Sequence, residues 1–80
     1  MDIRDEIISL IEETKFVPAP VFETCNLYTD LGFDSLAFVR LLLKIEETYS
    51  ITFELLEMSM CLQVSRLITL VKNKVRESLA

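Results

Sequence analysis

The sequence predicts an all-α domain, and two observations carry that prediction. Its 80 residues include one Gly and no Trp, and Val, Ile and Leu recur at helical spacing instead of alternating. Eighty residues make one domain, spanning 1–80, near the low end of what a single core stabilises. The apolar fraction is 51% and the mean hydropathy +0.39, more than so small a domain can hide. Some apolar side chains are therefore expected on the surface, or around a cavity that something else fills.

The first helix is expected over Asp2 to Thr14. Asp2 can cap it, and Asp5 and Glu6 suit its positive N-terminal end. Ile3, Ile7, Leu10 and Ile11 make one stripe, with Ile8 at its edge. Pro18 and Pro20 then enforce an extended path, since each disfavours helix at the residue before it. Residues 15–34 read as a loop of unusual length, a property of functional or side-chain-pinned segments. Val21, Phe22, Leu27, Tyr28 and Leu31 are the candidate pins.

The second helix is expected over Leu36 to Tyr49, with Ser35 or Asp34 as N-cap. Phe38, Leu41, Leu42, Ile45 and Tyr49 follow i, i+3, i+4, i+7, i+11 and form a core stripe. Leu36, Val39, Arg40, Leu43 and Glu47 follow the same spacing on a second line. So small a domain has little material to cover both stripes, so the second reads as a surface for a partner. Ser50-Ile51-Thr52-Phe53 reads as an extended connector, Glu54 to Met60 as a short third helix, and Ser65 to Leu79 as the last. Leu67, Ile68, Val71 and Val75 of that last helix are expected to turn inward.

Charge is unevenly placed. Residues 1–34 hold eight acids and two bases, and residues 35–80 hold five acids and six bases. A chain of net charge −5 lacks the basic face that nucleic acid requires; its acidic half suits a cationic protein surface. No apolar run is long enough to span a bilayer, no signal-peptide pattern is visible, and no membrane association is expected. Cys25 and Cys61 have neither metal spacing nor a CxxC pattern, and read as two small buried hydrophobes in a reducing compartment. A cytoplasmic monomer is the expectation.

Asp30-Leu31-Gly32-Phe33-Asp34-Ser35-Leu36 carries the functional information. It presents a serine behind an acid, at the end of a glycine-containing turn, directly before the long second helix. A helix starting there has unpaired amides and a positive dipole end close to Ser35, which favours a phosphate carried on the serine oxygen. Read alone, Asp34-Ser35 is ordinary cap chemistry, and Asp30 with Gly32 is ordinary turn chemistry. With no His in the chain and no suitably placed Lys, Ser35 has no base to make it a nucleophile of its own, so an enzyme is not expected. A serine presented but not activated reads as a point that another protein modifies.

The whole order, from acidic first helix and long loop through the DLGFDSL turn to a short C-terminal helix pair, resembles the acyl and peptidyl carrier proteins. The resemblance covers nearly the whole chain and centres on Leu27, Asp30, Leu31, Gly32, Asp34, Ser35 and Leu36, followed by Leu41, Ile45, Glu46, Glu47, Tyr49 and Ile51. It implies a four-helix bundle with a short third helix. It further implies a 4′-phosphopantetheine arm, placed covalently on Ser35 from coenzyme A by a separate phosphopantetheinyl transferase with Mg²⁺. The arm ends in a thiol that carries cargo as a thioester. Asp34 is carried over as an aid to metal positioning during that transfer. The second helix is the implied docking surface, with Leu36, Val39 and Leu43 as its apolar part and Arg40, Glu46 and Glu47 as its charged part. The implied partners are the transferase, an acyl- or aminoacyl-loading enzyme and downstream synthase or transferase enzymes.

Arg40 and Lys44 balance Glu46 and Glu47, so the second helix is neutral where fatty-acid carriers are often acidic. An Arg near this place looks more like the carriers of peptide synthetases, whereas NLYTDLGFDSL looks more like the fatty-acid and polyketide type. Gln63-Val64 stands where the family usually shows a Thr or Ser cap, and Gln is a weak cap. Two readings follow: a stand-alone carrier of acyl or aminoacyl groups, or an unmodified helical interaction module that keeps the carrier fold. A pure binding module has no need of a serine at position 35, which favours the first.

Overall fold

The computed structural model describes residues 2–15 and 17–79; Phe16 of the expected loop lies outside them. Four helices follow one another: α1 Ile3–Thr14, α2 Ser35–Tyr49, α3 Leu55–Met60 and α4 Val64–Leu79. α1 packs against both α2 and α4. Among the described residues there is no strand, only an isolated antiparallel bridge between Asn26 and Gln63. Among the described residues no helix is long and apolar enough to cross a membrane.

Each long helix buries the stripe its spacing marks. Ile7 and Ile11 of α1 are fully enclosed, with Ile3, Ile8 and Leu10 packed at the margin. α2 contributes Phe38, Leu41, Leu42 and Ile45, and Ala37 joins them because it lies beside Leu41 on the same face. α4 contributes Val64, Leu67, Ile68 and Val71, with Val75 half-covered. Enclosing a side chain of this size stabilises by about 1.5–3 kcal/mol each. α3 buries none of its six residues. It is anchored at its edges instead: Ile51, Phe53 and Cys61 on either side are buried, Glu54 N donates to Glu57 Oε1 at 2.8 Å, and Lys74 of α4 pairs with Glu57 at 2.7 Å.

Helix boundaries fall within one residue of expectation. Asp2 caps α1 through a long bond from Arg4 N, 3.4 Å. α2 begins at Ser35 with Asp34 as its cap, and ends at Ser50, which takes the left-handed conformation, φ 56°. α3 begins after Glu54 and α4 one residue early, at Val64.

The long loop is pinned to the core, by a set slightly different from the expected one. Leu27 and Leu31 are fully buried, Val21 and Tyr28 are partly covered, and the Tyr28 ring meets Phe38 edge-on at 5.6 Å. Phe22 is the correction: at 60% exposure it lies on the surface, and Phe33, just ahead of α2, is buried in its stead. Cys25 is also only half-buried, unlike Cys61. Burial pushes the Cys61 thiol up to about 11.

Candidate functional site: the start of α2

The segment 26–33 is knotted onto its own first two residues. Asn26 Oδ1 accepts from Tyr28 N at 2.9 Å and Thr29 N at 3.1 Å. Asn26 O accepts from Asp30 N at 3.0 Å and Leu31 N at 3.2 Å, and Leu27 O accepts from Phe33 N at 2.9 Å. In return Asp30 Oδ2 accepts from Asn26 N at 2.7 Å. The side chain thus mimics a backbone turn, as Asn does well. Gly32 follows with φ +71°, a left-handed conformation that calls for glycine, and a Cβ there would also press on the exposed Val17 side chain, Cγ1 at 3.1 Å.

Asp34 then leads into α2 in extended conformation. Its Oδ1 accepts from Ala37 N at 2.8 Å, and its carbonyl accepts from Phe38 N at 2.9 Å. The Ser35 and Leu36 amides have no hydrogen-bond partner among the described residues. No acid occupies the first turn of α2, and Ser35 is exposed. A phosphate on Ser35 would meet two free amides and the positive end of a fifteen-residue helix. The residues present therefore fit a phosphate-linked group at this position.

Beyond Ser35, α2 leaves a continuous face uncovered: Leu36 at 63%, Val39 at 45% and Leu43 at 52% exposure, with Arg40 and Glu47 exposed beside them. The remaining expected face residue, Glu46, is turned elsewhere. It is half-buried, and its Oε2 accepts from Phe53 N at 2.8 Å, so its charge holds the α2–α3 connector. Lys44 reaches Glu13 of α1 at 3.8 Å, whereas Arg40 pairs with no acid within 4 Å among the described residues. Leu55, Leu56 and Met60 of α3 are exposed as well. Among the described residues no group of three or more His, Cys, Asp or Glu could hold a metal ion.

Sequence reasoning missed the part played by Asn26 and by the start of α4. Val64 N donates to Cys25 O and Ser65 N to Glu23 O, both at 2.9 Å; Leu27 N donates to Leu62 O at 2.8 Å. Arg4 of α1 reaches Glu23 at 2.7 Å. The loop that shapes the serine turn therefore also ties α1 to the α3–α4 junction. The Asn-Leu pair ahead of Asp30 was the available signal, since Asn two residues before a turn is a known hydrogen-bonding cap for it.

The helical bundle thus presents an exposed serine at the open start of a long helix. The chain matches the family model described as phosphopantetheine attachment site over residues 6–71, and it belongs to that family. Domains of this family carry a covalently attached 4′-phosphopantetheine, and they are as a rule carriers, not catalysts. No curated protein matches the chain closely enough to count as a relative.

Proposed function

We propose that the chain is an acyl or aminoacyl/peptidyl carrier whose arm is attached at Ser35. The observation that carries this is the open start of α2: an exposed serine, two unpartnered amides and no acid in the first turn. In the attachment step Ser35 Oγ forms a bond to the phosphorus that bears the pantetheine portion of coenzyme A. The phosphoanhydride bond to that phosphorus breaks, adenosine bisphosphate leaves, and the hydroxyl proton passes to a base of the transferase. Asp34 would help position the transferase's Mg²⁺ with the carboxylate oxygen its cap bond leaves over. When bound, the arm supplies a thiol that holds cargo as a thioester. Phosphopantetheinyl transferase, a loading enzyme and downstream synthases are the partners this role requires.

Leu36, Val39 and Leu43 with Arg40 and Glu47 form the docking face in this reading. Glu46 takes a lesser part, since Phe53 N already occupies its carboxylate. With Lys44 drawn toward Glu13, the charge on the face is Arg40 against Glu47. A partner then has less use for the strongly basic patch that suits an acidic helix. This favours a specialised pathway with an aminoacyl or short acyl cargo over bulk fatty-acid synthesis.

The test is incubation with coenzyme A, Mg²⁺ and a broad-specificity phosphopantetheinyl transferase. Intact mass should show one arm added to the parent and none to Ser35→Ala, with both proteins equally helical. Addition that persists in the alanine variant moves the site elsewhere. A parent that takes no arm from several transferases returns the chain to the interaction-module reading.

A further inference from the structure

We propose that Asn26 is the positioning residue for arm attachment, holding Ser35 in place from nine residues upstream; this rests on Ser35 as the attachment site. Ser35 makes no side-chain hydrogen bond among the described residues, so its placement is set entirely by the backbone around it. On the helical side, Asp34 fixes the first turn of α2. On the loop side, most of the turn's bonds converge on Asn26. Its side-chain oxygen takes the amides of Tyr28 and Thr29, its carbonyl takes those of Asp30 and Leu31, and its own amide goes to Asp30 Oδ2. The next amide used in the segment, that of Phe33, closes onto the neighbouring Leu27.

This closed turn is also fastened from outside. Asn26 faces Gln63 in the antiparallel bridge, with Val64 N on Cys25 O and Leu27 N on Leu62 O to either side. Leu27, Leu31 and Phe33 bury their side chains beneath it. Asn26 therefore stands, with Leu27, where the α3–α4 junction meets the turn delivering Ser35, and it alone of the two closes the head of that turn with its side chain. Removing its side-chain acceptor frees two amides at the head of the turn. The backbone between two buried anchors, Leu27 and Leu31, then loses its fixed path, and Ser35 loses its fixed distance from the α2 docking face. A transferase that grips α2 would still bind the carrier, but the hydroxyl would be misplaced against coenzyme A.

The experiment is steady-state arm transfer with coenzyme A, Mg²⁺ and a broad-specificity phosphopantetheinyl transferase, run well below the unfolding temperature of every protein used. Asn26→Ala should lower kcat about ten-fold or more, because small misplacements of a reacting group are costly, while KM for the carrier changes little. Asn26→Ser keeps an oxygen that makes the same kind of turn more weakly, and should recover kcat to within about three-fold of the parent. Val75→Ala, at the far end of α4, supplies a destabilised variant with the loop intact and should leave kcat unchanged. Amide hydrogen exchange of the unmodified proteins should show Asn26→Ala losing protection from Tyr28 through Phe33, with protection in the middle of α1 and α4 retained. The proposal is overturned if Asn26→Ala keeps the parental kcat, if its loss appears in KM alone, if Val75→Ala loses as much, or if serine restores nothing. A parent that takes no arm at all overturns the attachment reading itself, an outcome distinct from each of these.

Discussion

α2 and α4 begin in opposite ways. α2 is capped by the residue directly before it: Asp34 takes the Ala37 amide and leaves those of Ser35 and Leu36 open at the surface. α4 follows Gln63, whose type is a weak cap, and its first two amides are taken by Cys25 O and Glu23 O from the long loop. At α4 the two outermost amides are thus occupied, and in its first turn only that of Arg66 lacks a partner among the described residues. A start capped from one side by a single carboxylate keeps two. The long loop thus occupies the outermost amides of α4 and leaves those of α2 open.

The largest effect should come from loosening that loop at its buried centre. Leu27 is fully enclosed, its amide reaches Leu62 O and its carbonyl receives Phe33 N. Leu27→Ala should cost about 2–5 kcal/mol in urea unfolding, the range for a buried leucine. The amides of Phe33 on the α2 side and of Val64 and Ser65 on the α4 side should lose exchange protection together. Protection lost on one side only would mean that the two helix starts are held independently.

Next in size is the cap itself. Asp34→Ala strands the Ala37 amide and should cost about 0.5–2 kcal/mol. Asp34→Asn retains an acceptor oxygen and should lose only a few tenths. Arm transfer separates the two roles given to Asp34. If the asparagine variant stays stable yet loads poorly with Mg²⁺, the carboxylate serves the metal. If it loads normally, Asp34 is a cap and nothing more.

Alkaline solution probes the end of α2 and the approach to α4. The Cys61 thiol, just before α4, is raised from 9.0 to about 11 by burial. The Tyr49 phenol, at the end of α2, is raised from 10.0 to about 12, by burial first and then by the nearby Glu6 carboxylate. Both groups are neutral when protonated, so above pH 9 the unfolded chain releases protons that the folded chain keeps. These two groups should therefore leave stability unchanged from neutral pH up to about pH 9 and lower it between pH 9 and 12. Cys61→Ala should remove the earlier part of that fall and Tyr49→Phe the later part. A decline that both variants retain in full would assign it to other groups.

What was legible in the sequence divides along the same line. α1, α2 and the inward side of α4 were readable because their apolar residues recur at helical spacing, and Asp2 and Asp34 because a cap acts on amides two or three residues away. Ser35 was readable because acid, serine and helix stand together in the chain. Gln63 looked like a defect because the carbonyls that replace its cap come from residues 23 and 25, a non-local arrangement that no window on the sequence contains. Phe22 and Phe33 were interchanged for a similar reason. Both sit in a loop without periodicity, which carries no local sign of which ring faces the core. Glu46 looked available to a partner because its own amide target, Phe53 N, is reached only after the chain reverses at Ser50.

The smallest expected effect is the sharpest test of the contrast. Gln63 contributes one side-chain hydrogen bond, Nε2 to Thr24 O at 3.3 Å, while its backbone bridges Asn26 and its carbonyl takes Leu67 N at 3.0 Å. Gln63→Ala removes only the side-chain bond and should shift stability by no more than about 0.5 kcal/mol. Gln63→Asp is the more telling change. An Asp cap accepts from the amide two or three residues on; Ser65 N is already held by Glu23 O, but Arg66 N has no partner among the described residues, so Gln63→Asp should gain about 1 kcal/mol through the Arg66 amide. Thermal and urea unfolding of the parent and both variants would decide it. No gain for the aspartate would show that the path the loop imposes on residue 63 keeps its side chain from the Arg66 amide, and that the α4 start is closed to a local cap.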